Sequence, residues 1–368
     1  MARPIKVLII DDSALVRQFL SKVLSQDREI EVVGTAADPL YAVRKIREHS
    51  PDVLTLDLEM PRMDGLTFLR KLMATYPLPV VVISSLAHQG SAVAIKALEL
   101  GAVDFVTKPS LGIRAGLQKM CAEIITKVKN AAGINMELLQ RQVISPSRAG
   151  HGYSTGQVPG EKQVSKQTAV GINNKVIVIG GSTGGTVAVK RILGELPTGL
   201  PGIMVVLHMP AGFTASYAQS LNASCPLKVK EAANGEPLLP GCVYIAPGDK
   251  HLLLRKGSAG FYLRLDTGPP VNRHRPSVDK TYFSVAQYAS PHSLGVLLTG
   301  MGEDGARGLK EMYDKGSPTI AQDEQSSIVF GMPKQAIALG AAGSVLPLEK
   351  IAGAIVNFVK GKRRGEKC

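Results

Sequence analysis

Tryptophan is absent from these 368 residues and aromatics make up only 5% of them. No apolar run approaches the roughly 20 residues that a membrane-spanning helix needs. A base-stacking nucleic-acid module is disfavoured, since no RNA-binding or zinc-finger signature accompanies the missing aromatics. The four cysteines, Cys121, Cys225, Cys242 and Cys368, form no C-x-x-C pair and no metal-ligand spacing, so disulfides are not expected. The start, MARPIKVLII, gives way to Asp11 and Asp12 rather than to a cleavage site. A cytoplasmic, non-inserted protein is expected. What the chain has in excess is positive charge, +13 with a pI near 9.5. An acidic protein partner accounts for that as well as nucleic acid does.

The length suggests two domains. Residues 5 to 129 alternate β-branched runs (IKVLII, EIEVVGTA, DVLTL, PVVVIS and DFVT) with amphipathic stretches. Five βα units predict an α/β, flavodoxin-like, doubly wound sheet of five parallel strands. From Asn130 to Asn174 the composition turns to Ser, Gly, Pro, Gln and Lys, which predicts a flexible linker over 130–174. After Lys175 strand-like runs return: VIVIG, IMVVLH, CVYIA, HLLLRK, FYLRL, LGVLLTG, PTIAQD and SVLPL. They predict a second doubly wound α/β domain over 175–360, with a mostly parallel sheet and an antiparallel hairpin at HLLLRKGSAGFYLRL. A basic tail, 361–368, follows.

In a parallel sheet, residues just past the carboxyl ends of the strands share one crevice. In the first domain these are Asp11, Asp12, Asp57, Ser84 and Lys108. Three carboxylates there would repel one another, and a hard divalent cation such as Mg²⁺ removes that penalty. With a lysine nearby, Asp57 is the best candidate to attack phosphorus in aspartyl-phosphate chemistry. Asp as a helix N-cap is the competing explanation for any one of these residues. Taken jointly, over about the first 125 residues, the pattern resembles the receiver domain of two-component response regulators. The resemblance implies Asp57 as phosphoacceptor and Mg²⁺ on Asp11, Asp12, Asp57 and the Glu59 carbonyl. It further implies Ser84 and Lys108 on the phosphoryl group and Phe105 at the aromatic switch position.

In the second domain, VIVIGGSTGG ends a strand on Ser182. A phosphate-binding P-loop needs Lys after its glycines and a dinucleotide fingerprint needs G-x-G-x-x-G, and neither is met. Gly180 to Gly184 does satisfy G-x-S-x-G, a sharp turn that exposes a nucleophilic serine. Its rival is a glycine-rich turn that binds nothing covalently. Four histidines follow as possible bases: His208, His251, His274 and His292. His208 ends a strand expected to neighbour that of Ser182, which favours it. Asp304, after a strand and a glycine-rich turn, is the candidate carboxylate, with Glu303 its rival and helix capping the alternative role. The order Ser, His, Asp differs from that of α/β-hydrolases.

The stretches GGSTGG, LHMPAGFTASYAQSLN, YIAPGDKH, GPPVNRHRPSVD, LTGMGEDGA and FGMPKQAI resemble the catalytic domain of chemotaxis protein-glutamate methylesterases. That resemblance implies a triad of Ser182, His208 and Asp304 and the hydrolysis of glutamate methyl esters on chemoreceptors. Deamidation of receptor glutamines often accompanies it. It implies a chemotaxis histidine kinase as phosphodonor, no cofactor for ester hydrolysis, no nucleic-acid partner and a monomer. Oxyanion donors are expected at the Thr183 N–H and the Met301 turn. The basic run Arg273, His274 and Arg275 is expected to steer the enzyme to acidic receptor helices. Phosphorylation at Asp57 is expected to relieve inhibition. A DNA-binding response regulator, or a docking module without catalysis, is the alternative. The first lacks a helix-turn-helix pattern, and the second is disfavoured by an intact candidate triad.

Overall fold

The computed structural model describes residues 3–60, 64–84, 88–108, 114–144 and 174–361. Most of the expected linker, 145–173, and the tail after Gly361 lie outside the described residues. Two compact units divide after Ile144.

In the first unit, β1 (Ile5–Ile10), β2 (Ile30–Ala36), β3 (Val53–Asp57), β4 (Val80–Ser84) and β5 (Asp104–Thr107) are all parallel, in the order β2-β1-β3-β4-β5. Val7 to Ile10, Val53 to Leu56 and Val80 to Ile83 are buried throughout, as strands covered on both faces must be. The helices are α1 (Ala14–Leu24), α2 (Pro39–His49), α3 (Gly65–Thr75), α4 (His88–Glu99), α5 (Arg114–Ala132) and α6 (Met136–Ile144). The last two correct the expected linker start at 130. Residues 130–132 finish α5 and 136–144 are helical, with Leu139 buried and the Gln140 amide donating to the Met73 carbonyl at 2.7 Å.

The second unit has a seven-stranded sheet, all parallel, built from β6 (Val176–Gly181), β7 (Gly202–Leu207), β8 (Lys228–Glu231), β9 (Cys242–Ile245), β12 (Ser293–Leu297), β13 (Thr319–Gln322) and β14 (Ser344–Leu346). Its order is β14-β13-β12-β6-β7-β9-β8. The hairpin forms as a separate two-stranded sheet, β10 (His251–Gly257) with β11 (Gly260–Asp266). Helices α7 (Gly185–Glu195), α8 (Phe213–Ser224), α9 (Val278–Tyr288), α10 (Ala306–Asp314), α11 (Met332–Ala338) and α12 (Leu348–Lys360) complete the unit. The core beneath the hairpin joins Val176, Val178 and Met204 to Leu252, Leu254, Tyr282 and Val285.

The chain leaves β6 for β7 on one side and returns to β12 on the other, so β6 marks a topological switch point, where α/β sheets open a crevice. Parallel register pairs Gly181 with Leu207, which sets the next residues, Ser182 and His208, side by side at the carboxyl edge.

Candidate active site

In the first unit the strand order reverses between β1 and β3, and this gathers the acidic residues that follow them. Carboxylate oxygens of Asp11, Asp12 and Asp57 lie within 4.8 Å of one another. Asp11, Asp57 and Ser84 are buried, while Asp12 is exposed. Lys108 Nζ stands 2.6 Å from Asp57 Oδ2 and 3.5 Å from Asp11 Oδ2. Backbone N–H groups fix the other oxygens, Ser13 donating to Asp11 Oδ1 at 2.9 Å and Glu59 to Asp57 Oδ1 at 3.0 Å.

Burial, reinforced by the charge of Asp57, holds the Asp11 carboxyl above its ordinary value despite the attraction of Lys108. Burial works to lower Lys108, but its hydrogen bond and attraction to Asp57, and its attraction to Asp11, prevail and raise it. Asp11 Oδ2 is buried with no hydrogen-bond donor. A buried carboxylate oxygen whose one cationic neighbour is the Lys108 ammonium at 3.5 Å, set among three carboxylates, fits a hard divalent cation with oxygen ligands. Phe105 is buried in β5, with the Lys127 ammonium 5.1 Å from its ring centroid.

In the second unit, Ser182 follows β6 directly. Its N–H donates to the Thr299 carbonyl at 3.0 Å, and its own carbonyl accepts from Gly185 N–H at 2.7 Å, which closes a tight turn into α7. Gly184 holds φ at 77°, and a Cβ there would stand 2.7 Å from Ile328 Cβ, so glycine is required twice over. A Cβ on Gly300 would stand 2.8 Å from Ser182 Cβ, so that glycine lets the Met301 turn lie against the serine. Met301 is exposed at the rim and Thr183 is buried.

The His208 ring joins the other two groups. Nδ1 lies 3.1 Å from Ser182 Oγ and Nε2 2.8 Å from Asp304 Oδ2. Asp304 does not cap the helix that follows it: the cap of α10 is Gly305, without a side-chain bond. Instead Asp304 sits at the amino end of α9. Its Oδ2 accepts from Val278 N–H at 2.7 Å, and its Oδ1 from Ser277 Oγ at 2.7 Å, Asn272 Nδ2 at 2.8 Å and Asp279 N–H at 3.2 Å. Burial favours the neutral carboxyl, but hydrogen bonding and attraction to His208, then the bonds from Asn272 and Ser277, push it far below the ordinary range. Asp304 therefore stays anionic beside the imidazole. A ring bonded to a hydroxyl at one nitrogen and to a carboxylate at the other can pass a proton between nucleophile and leaving group.

The rivals fall elsewhere. Glu303 is exposed. His292 lies at the opposite sheet edge, its carbonyl accepting from Val176 N–H where β6 begins. His251 is buried, its Nδ1 accepting from Ser277 N–H at 3.1 Å and its Nε2 donating to the Pro269 carbonyl at 3.0 Å. Of the basic run, Arg275 is tied to the Thr267 and Gly268 carbonyls, and Arg273 alone of the three is exposed. His274 lies flat on the His208 ring, centroids 3.6 Å apart and planes 3° from parallel. Sequence reasoning placed His274 in a steering loop, because nothing in its neighbours marks the fold-back that stacks it.

Fold and site together define a two-part enzyme, a response-regulator receiver domain followed by a hydrolase domain of α/β architecture built on a parallel sheet. Residues 7–118 match the response regulator receiver domain and residues 177–355 the CheB methylesterase family. A protein-glutamate methylesterase/protein-glutamine glutaminase of Methylobacillus flagellatus is 48% identical over 355 residues, 96% of this chain and 97% of that protein. Its counterpart in Hydrogenovibrio crunogenus is 47% identical over 97% of this chain and 99% of its own. The crystal structure of the Thermotoga maritima CheB methylesterase catalytic domain is 43% identical, covering 50% of this chain and 97% of that one with a TM-score of 0.48. The chain belongs to the protein-glutamate methylesterase/protein-glutamine glutaminase family.

Proposed function

We propose that this enzyme removes methyl groups from glutamate methyl esters on methyl-accepting chemoreceptors, and deamidates receptor glutamines, when a chemotaxis histidine kinase has phosphorylated Asp57. The observation that carries the reading is the His208 ring, hydrogen-bonded to both Ser182 and Asp304. In this scheme Ser182 Oγ bonds to the ester carbonyl carbon while its proton passes to His208 Nδ1. Thr183 and Met301 N–H groups receive the oxyanion. The C–O bond to methanol then breaks, and Nδ1 returns the proton to the leaving methoxide. Water attacks the acyl-serine, gives its proton to Nδ1, and Ser182 leaves with it, freeing glutamate. Asp304 keeps the Nε2–H oriented and stabilises the imidazolium. With a glutamine substrate the same steps release ammonia.

In the receiver domain, Asp57 is the phosphoacceptor, and Ser84 and Lys108 contact the phosphoryl group. Mg²⁺, on Asp11, Asp12, Asp57 and the Glu59 carbonyl, would neutralise the charge that gathers during transfer. Domain limits follow the same reading, with a receiver domain ending by Ile144 and a catalytic domain from Lys175 to Lys360. Methanol release from methylated receptor membranes tests the control. A small phosphodonor should raise the rate, and chelation or Asp57→Asn should erase the rise. A fragment from Lys175 onward should outpace the unphosphorylated whole chain. A rate indifferent to phosphodonor would refute the control.

A further inference from the structure

We infer that the turn Val271–His274 is a clamp on the catalytic groups, with Asn272 and His274 as positioning residues for Asp304 and His208. The inference rests on the proposed roles of Ser182, His208 and Asp304.

Val271 and His274 exchange backbone hydrogen bonds, Val271 N–H donating to the His274 carbonyl at 3.0 Å and His274 N–H to the Val271 carbonyl at 2.9 Å. The two residues between them, Asn272 and Arg273, both take positive φ, 50° and 67°. Asparagine tolerates that region, but arginine rarely enters it, and such strain persists only where the surroundings over-determine the backbone. Here the turn is pinned by the side chains of Asn272 and His274.

The Asn272 amide has two N–H groups, and both are used, one on Asp304 Oδ1 and one on Asp279 Oδ2, each at 2.8 Å. Asp279 is itself held, its Oδ1 accepting from Gly308 N–H in α10 at 2.7 Å. The amide thus bridges two buried carboxylates and anchors the turn to α9 while it fixes the Asp304 plane.

His274 acts on the other partner. The Ser182 and Asp304 bonds hold the His208 ring by its edges, yet rotation of the ring about its bond to Cβ is soft for such a torsion. A second flat ring at 3.6 Å, within 3° of parallel, blocks that rotation from one face.

The test uses full-length variants, reading kcat and KM for methanol release, the rate at which a small phosphonofluoridate labels Ser182, and the thermal midpoint. His274→Ala should lower kcat about tenfold or more with KM within about twofold, and slow phosphonylation by a similar factor. His274→Phe, which keeps a flat ring, should recover most of both rates. Asn272→Gly keeps the positive φ available and removes the side chain with its amide, and it should lower kcat by a similar factor. If His274→Ala does not fold, His274→Leu replaces it, filling the space without a flat face, with the same loss expected. The clamp is refuted if His274→Ala or its replacement keeps kcat within about twofold, if the loss appears in KM alone, or if phenylalanine does no better than alanine. Ser182→Ala is measured alongside. Activity retained there would overturn the catalytic assignment itself, whereas an inactive Ser182→Ala with normal clamp variants would remove only the clamp.

Discussion

Asp304 is the residue whose surroundings are most fully committed to one charge state. Three N–H groups besides His208's, and the Ser277 hydroxyl, converge on its two oxygens. Asp304→Asn keeps the shape but sets an amide against donors that require an anion, and it leaves His208 without the partner that fixes its tautomer. A loss of about 10³-fold or more in kcat is expected. The same carboxylate links stability to pH. Its folded pKa lies below the unfolded one, so its contribution is fully present above about pH 4 and fades as pH falls toward the folded value. Asp279 acts in the opposite sense, because burial, with the charge of Asp304, holds it above the ordinary range. Urea midpoints measured from pH 6 down to 3 should therefore fall less steeply for Asp304→Asn than for the parent.

At this scale Ser182, His208 and Asp304 were legible, because each follows a strand-like run and a parallel sheet delivers such residues to one edge. His274 was not. Its place depends on a left-handed turn whose second residue is arginine rather than the glycine that would have announced it.

Among the elements, strands buried on both faces read plainly as apolar runs, and thirteen of the fourteen strands among the described residues correspond to runs picked out by composition. The exception is β8, KVKE, in which only Val229 is buried. It is an edge strand, where lysines discourage pairing with another sheet, and the same lysines hide it in the sequence. Helix α6 was hidden differently, by the polar stretch that follows it, although Leu139 faces the core. The β6 end of the elbow supplies a stability test. Gly181 has an ordinary backbone, and a Cβ there would meet Leu207, Leu298 and Thr299 no closer than 3.4 Å. Gly181→Ala should raise unfolding free energy by about 0.5 kcal/mol, chiefly by narrowing the unfolded ensemble. Denaturant titration checks this, and a loss of more than about 1 kcal/mol would mean that the elbow cannot accept the methyl group.

At the scale of the whole molecule, two parallel α/β sheets each gather their candidate site at a point where strand order reverses, three carboxylates in one unit and Ser182, His208 and Asp304 in the other. The acidic crevice is held at a cost in stability. Asp11→Asn removes one of two buried like charges, so the metal-free thermal midpoint should rise, while the further rise that Mg²⁺, bound as proposed, should give the parent by mass action should disappear. Calorimetry with and without Mg²⁺ reads both effects, and an undiminished Mg²⁺ shift in the variant would remove Asp11 from the ligand set.

The most direct measurement of the central claim is peptide mapping of the full chain after partial phosphonylation, paired with methanol release from the same samples. The adduct should sit on Ser182, and activity should fall in proportion to its occupancy, with Ser182→Ala neither labelled nor active. Methanol release that survives complete modification of Ser182, or an equally active Ser182→Ala, would contradict the account.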